Sequence, residues 1–86
     1  MAEQPLLDIA RAAIMSGRSQ AALDALGRHE RAFPTGGLAE ERDALRVQAL
    51  AQAQDVAGAT ARAQSFRKRF PKSIFLPSVD AASPPP

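Results

Sequence analysis

The chain has 86 residues, is 45% hydrophobic, carries a formal net charge of +2 and contains no Cys, Trp or Tyr. That is one small domain, with no disulfide framework and no thiolate metal site. Nineteen of its apolar residues are Ala and only 20 are larger, a thin supply for a core, and no apolar run approaches the roughly 20 residues of a membrane span.

Residues 1–4 lead directly into Pro5 and a helical pattern, without a basic and then apolar leader, so no secretory signal is expected and the compartment stays open. Leu6, Ile9, Ala10, Ala13 and Ile14 recur at helical spacing between Pro5 and Gly17, which predicts a first helix over about 5–16. Ser19 is placed to cap a second helix, with a stripe of Ala22, Leu23, Leu26 and Phe33 that Pro34 ends. Thr35, Gly36 and Gly37 form the turn.

A third helix, expected to be the longest, begins near Leu38, puts Glu40 and Glu41 in its first turn and runs through Leu45, Ala49, Leu50 and Ala53. Asp55 then caps a fourth helix with a stripe of Val56, Ala59, Ala63, Phe66 and Phe70, ended by Pro71. Ser73 is expected to cap a short fifth helix through Ile74, Phe75, Leu76 and Val79, limited by Pro77 to about two turns. No segment alternates with period two, so the chain reads as all-α. Residues 82–86 read as a disordered Pro-rich tail.

Slid against itself by 37 residues, the sequence superposes Phe33-Pro34 on Phe70-Pro71, Ala22 on Ala59, Ala10 on Val47, Ala13 on Leu50, and the turn Gly17-Arg18 on Gln54-Asp55. The reading is two copies of helix, turn, helix, Phe-Pro, with repeat 1 at about 5–34, repeat 2 at about 38–71 and a closing segment at 73–81. A period in this range marks helix-pair solenoids. Small Ala residues let the paired helices approach, Phe fills the space between pairs and Pro redirects the chain.

The order Ile9-Ala10, Gly17, Ala22 and Phe33-Pro34 resembles the tetratricopeptide repeat, although the period is 37 rather than about 34 and Gln54 stands where the second turn would have Gly. Phe70-Pro71-Lys72-Ser73 is similar to the endings of repeats in bacterial envelope proteins of the BamD-like and Tol-Pal-associated kind. The segment 29–50 resembles helical-repeat modules that often close longer proteobacterial chains. The resemblance implies a non-catalytic protein-interaction module, part of a scaffold or of an envelope or regulatory protein. In such arrays the first helix of each pair lines the concave face, which assigns Arg11, Arg42, Arg46 and Gln48 to partner contact.

Chemistry has little else to stand on. His29 is the sole imidazole, with no positioned nucleophile: Ser16 and Ser19 flank a turn and Ser65 lacks a nucleophile elbow. A surface or helix-packing His is therefore expected, and no catalytic residue. Glu40, Glu41 and Asp43 are interleaved with Arg42 and Arg46, which reads as dipole stabilisation and ion pairing rather than a metal site. Gly36-Gly37 is not followed by the Lys-Ser/Thr of a phosphate loop, and no cofactor is expected.

Charge is asymmetric: residues 1–43 carry five basic and seven acidic side chains, residues 44–86 six and two. Arg62, Arg67, Lys68, Arg69 and Lys72 form a basic patch on the fourth helix and its exit, read as a solvated face or a surface for an acidic protein. Nucleic acid is disfavoured by the modest charge, the lack of exposed stacking aromatics and the absence of Asn. Without Asn, the carboxylate clamp of chaperone-binding tetratricopeptide domains is excluded as well. The leading partner is thus a protein, and the alternative a second copy of the chain, since about three repeats are needed for a self-sufficient array and only two are present; a small DNA-associated regulator using the basic fourth helix is the third and least favoured reading.

Overall fold

The chain folds into five helices in a computed structural model that describes residues 3–86; the reading of residues 1 and 2 lies outside the described residues. They are α1 (Glu3–Met15), α2 (Ser19–Ala32), α3 (Ala39–Gln52), α4 (Val56–Arg69) and α5 (Leu76–Ala82). Among the described residues there is no strand. The helices α2, α3 and α4 have 14 residues each, so the third is not longer than its neighbours. Packing follows the chain: α1 lies on α2 and α3 on α4, α2 joins the two pairs through α3, and α5 closes on α3 and α4.

The 37-residue repeat is written into the backbone. Gly17 and Gln54 are the two described residues with positive φ, at 75° and 64°. Each follows a helix that ends in the same pair of bonds. Arg18 N–H donates to Ala13 O at 2.8 Å and Gly17 N–H to Ile14 O at 3.0 Å; Asp55 N–H donates to Leu50 O at 2.9 Å and Gln54 N–H to Ala51 O at 3.0 Å. Gln54 holds this left-handed conformation at a steric cost that Gly avoids. Gln54→Gly is therefore expected to raise stability by about 1 kcal/mol, and Gly17→Ala to lower it by a similar amount. Urea titration of both variants checks the opposite signs.

The exits from α2 and α4 match as closely. Phe33 and Phe70 adopt φ/ψ of −137°/62° and −130°/64°. Their N–H groups donate back to His29 O and Phe66 O at 2.7 and 2.8 Å. His29 packs tilted against Phe33 with ring centroids 5.4 Å apart and planes at 44°, and Phe66 against Phe70 at 5.1 Å and 48°. The lone His thus occupies the place that Phe66 fills in the second repeat, fully buried. It is a packing residue.

Capping differs between the copies. Asp55 accepts a hydrogen bond from Gly58 N–H at 2.9 Å and caps α4. Arg18, its counterpart, precedes α2 without a side-chain cap, and Ser19 is the first residue of that helix rather than its cap. Ser73 does not cap α5 either. Its Oγ accepts from Phe75 N–H at 3.0 Å, which holds the turn before the helix, and Phe75 is the N-cap. Pro77 sits in the first turn of α5, where its missing N–H costs nothing, so it starts the helix instead of limiting it.

Two apolar clusters flank α3. Leu45 and Ala49 join Leu7, Ala10, Ala13, Ala22, Ala25 and Leu26 on one side. On the other, Ala44 and Val47 join Ala63, Phe66 and Val79, with Phe70, Phe75, Leu76 and Ala82 at the margin. Nine of the sixteen buried apolar residues are Ala, as close approach of paired helices requires. Three predicted stripe residues face outward instead: Ile9 is 51% exposed, Val56 72% and Ile74 84%. The buried place beside Leu6 belongs to Leu7.

α5 extends the repeat. Its cap Phe75 corresponds to Leu38, and Val79 N–H bonds to Phe75 O at 3.0 Å as Arg42 N–H bonds to Leu38 O at 2.9 Å. It is the first half of a third first-type helix. The expected tail over 82–86 starts later than predicted, because Ala82 ends α5, Ser83 is buried, and its carbonyl accepts from Arg67 Nη2.

Candidate functional site

The first helices of the repeats, α1, α3 and α5, enclose a groove of about 280 Å³ lined by Arg11, Ile14, Met15, Glu41, Ala44, Leu45, Gln48, Phe75 and Ser78. On α3 the lining residues 41, 44, 45 and 48 recur at steps of three and four, which is one helix face. The floor is apolar and one rim is charged. Arg11 Nε donates to Glu41 Oε2 at 2.7 Å and Arg11 Nη1 to Asp8 Oδ1 at 2.6 Å. Those hydrogen bonds, Glu41 first and then Asp8, hold the guanidinium above its ordinary pKa. The bond from Arg11, reinforced by Gln4, holds the Asp8 carboxylate below its own.

Of the four residues assigned to partner contact, Arg11 and Gln48 line this groove. Arg42 and Arg46 do not. They lie round the helix toward α2: Arg42 is 2% exposed, so its assignment to partner contact is corrected, and Arg46, 8% exposed, lines a different groove. Arg42 donates from Nη1 to Phe33 O at 3.0 Å, from Nη2 to Pro34 O at 3.4 Å and from Nε to Asp43 Oδ1 at 2.9 Å, tying α3 to the turn before it. Arg46 Nη1 donates to Glu30 Oε1 at 2.9 Å.

The basic patch is also divided. Arg67 turns to α5, where it bonds Asp80 at 2.9 Å, and Arg69 reaches Asp43 at 2.9 Å while lying over the Phe70 ring. Lys68 and Lys72 stay exposed. Arg62 lines a different groove altogether. The cluster of Glu40, Glu41 and Asp43 is consumed by the first turn of α3 and by ion pairs to Arg11, Arg42 and Arg69. Among the described residues, no three His, Cys, Asp or Glu side chains gather as metal ligands, and no helix is long and apolar enough to cross a membrane.

Sequence reasoning missed a second groove, of about 540 Å³, between α2 and α4 with α3 as its floor. Leu23, Gly27, Glu30 and Arg31 form one wall, Gly58, Ala61 and Arg62 the other, and Arg46 and Leu50 the floor. The available signal was Gly27, a helix-weakening residue in the middle of α2 where a side chain would narrow the space.

Glu30 sits at this groove under opposed influences. Burial pushes its pKa up, but the hydrogen bond from Arg46 and the charges of Arg46, Arg42 and Arg62 outweigh it, and the net shift is downward from 4.5. A carboxylate lowered in the folded state adds stability above its unfolded pKa, and that stability is lost as pH falls through the folded value. The wild-type chain is therefore expected to melt above Glu30→Gln at pH 6 and to lose that advantage as pH falls below 4.5 toward the lowered folded value. Thermal melts across that range check it.

A comparison with family models, curated proteins and solved structures finds no match to this chain.

Proposed function

We propose that the chain is a non-catalytic protein-interaction module, a tetratricopeptide-like helix-pair array that receives a segment of a partner protein in the groove between α1, α3 and α5. The observation that carries this reading is the groove itself: an apolar strip of Ile14, Met15, Leu45 and Phe75 beside the fixed charges of Arg11 and Glu41. Apolar lining with a few oriented polar groups is the usual character of a recognition groove. Peptides selected from a displayed random library are expected to lose at least about tenfold in affinity for Met15→Glu or Gln48→Glu. Both positions lie outside the core clusters, so the fold is retained. Equal binding to native and variant chains overturns the reading.

A second reading, self-assembly, has an observation of its own. The second half of α3 covers α1 and α2, with Gln52 Nε2 donating to Ile14 O at 2.8 Å. α5 stops at Ala82, and the corresponding site on α3 and α4 stays an open groove of about 330 Å³ lined by Ala51, Val56, Ala59, Thr60 and Ser83. A second copy seated there gives a molar mass that rises with concentration and a rise that Val56→Lys abolishes. Sedimentation equilibrium decides it, and a constant monomer mass removes it.

A further inference from the structure

Five arginines of this chain are neutralised by its own acids: Arg11 by Asp8 and Glu41, Arg42 and Arg69 by Asp43, Arg46 by Glu30 and Arg67 by Asp80. Arg31 and Arg62 are different. Both are exposed, and among the described residues neither has an acid within ion-pair distance. They stand on opposite walls of the α2–α4 groove, with Arg46 between them on the floor. The groove therefore presents two guanidinium groups without an ion-pair partner, from α2 and α4, above the Arg46–Glu30 pair, and Asp55 lies at its edge with one oxygen held by the Gly58 N–H. The Nε of Arg46, buried at the floor, has no hydrogen-bond partner. Two half-buried leucines, Leu23 and Leu50, complete the lining.

We propose that this groove is a second docking site, for an acidic, leucine-bearing segment of a partner protein. Arg31 and Arg62 take a carboxylate on either wall, and an apolar side chain descends between them onto Leu23 and Leu50. Gly27 keeps the α2 wall low enough for that descent, while Gly58 leaves room for the Asp55 cap, whose Oδ2 a Cβ there would meet at 2.5 Å. Guanidinium groups suit the task because their planar donor fork matches a carboxylate, and a site that is partly desolvated strengthens the pairing. The site is separate from the α1–α3–α5 groove. Arg46 and Leu50 lie about half a turn round α3 from Glu41, Leu45 and Gln48, so the two grooves open on opposite faces of that helix.

The test keeps the two grooves apart. A displayed random-peptide library is selected against the full chain carrying Met15→Glu and Gln48→Glu, which blocks the first groove and leaves the second intact. The selected peptides are expected to be enriched in Asp or Glu flanking Leu. Their binding is expected to fall at least about tenfold on adding Arg31→Gln and Arg62→Gln, and to weaken as salt rises. Melting temperatures should fall only slightly on those two substitutions, because neither side chain makes a hydrogen bond or ion pair in the fold and Arg62 acts on Glu30 only through its charge. Peptides without acidic enrichment, or binding indifferent to the arginine pair, overturn the proposal. Tighter binding of a single-stranded DNA oligonucleotide than of the peptides through the same two arginines overturns it too.

Discussion

Phe66→Ala is expected to lower the melting temperature by about 15 °C or more. Truncation of a buried Phe costs about 3–5 kcal/mol, and one kcal/mol shifts a domain of this size by roughly 4–8 °C. Phe66 is 1% exposed and its neighbours in the cluster are Ala44, Val47, Ala63 and Val79. Those four small side chains cannot fill the space a phenyl ring leaves, and Phe70 loses the ring it packs against at 5.1 Å. A chain of 86 residues has about 4–13 kcal/mol in total, and this single change consumes a large part of it. The damage should also be local. The two clusters meet only through α3, and stability in helix-pair arrays is dominated by neighbouring elements. Hydrogen exchange is expected to accelerate first in α4 and α5, with α1 and α2 keeping more of their protection. A shift under about 5 °C, or uniform loss of protection, contradicts this account.

The architecture was readable because its signals are local. Pro34 and Pro71 mark helix exits, Gly17 and Asp55 mark turns, and the 37-residue repeat relates the two pairs before any contact is known. Each of these is a backbone requirement satisfied by one or two adjacent residues. The faces were less legible. Ile9, Val56 and Ile74 are apolar and at helical spacing, yet exposed, since spacing alone does not say which of two adjacent apolar residues turns inward.

The candidate site was misread at Arg42 and Arg46 for a related physical reason. An arginine on a first-type helix was taken as a surface group, whereas both are buried, Arg42 bonding two carbonyls and a carboxylate and Arg46 bonding Glu30. What reverses the expectation is tertiary: the Phe33 and Pro34 carbonyls lie past the end of α2 where the Arg42 fork reaches them, and the Gly36 N–H adds only a long bond of 3.4 Å to Phe33 O. The α2–α4 groove was illegible for the same reason. Arg31, Arg46 and Arg62 are far apart in sequence and converge only once α3 lies between α2 and α4.

Arg42→Ala is the other large effect, expected to cost about 3–4 kcal/mol, and the comparison that explains it is Arg42→Met at about half that. Alanine removes a 2%-exposed side chain, opening a cavity, and also takes the guanidinium donors from the carbonyls of Phe33 and Pro34, leaving Phe33 O only the long bond from Gly36 N–H. Methionine refills most of the volume, so only the polar loss remains. Asp43 loses the partner of its Oδ1 in both variants, while Arg69 still bonds its second oxygen at 2.9 Å, so this loss does not separate alanine from methionine. The fold itself supports the ordering: one repeat further along, the same place is taken by Val79, fully buried and apolar. An aliphatic side chain is therefore compatible with the helix packing, and the guanidinium is required by the turn that precedes α3. The measurement is urea unfolding of the native chain and both variants. If methionine proves as damaging as alanine, the carbonyl contacts carry the whole effect and packing none; if methionine is neutral, the reverse holds and Arg42 acts as filler.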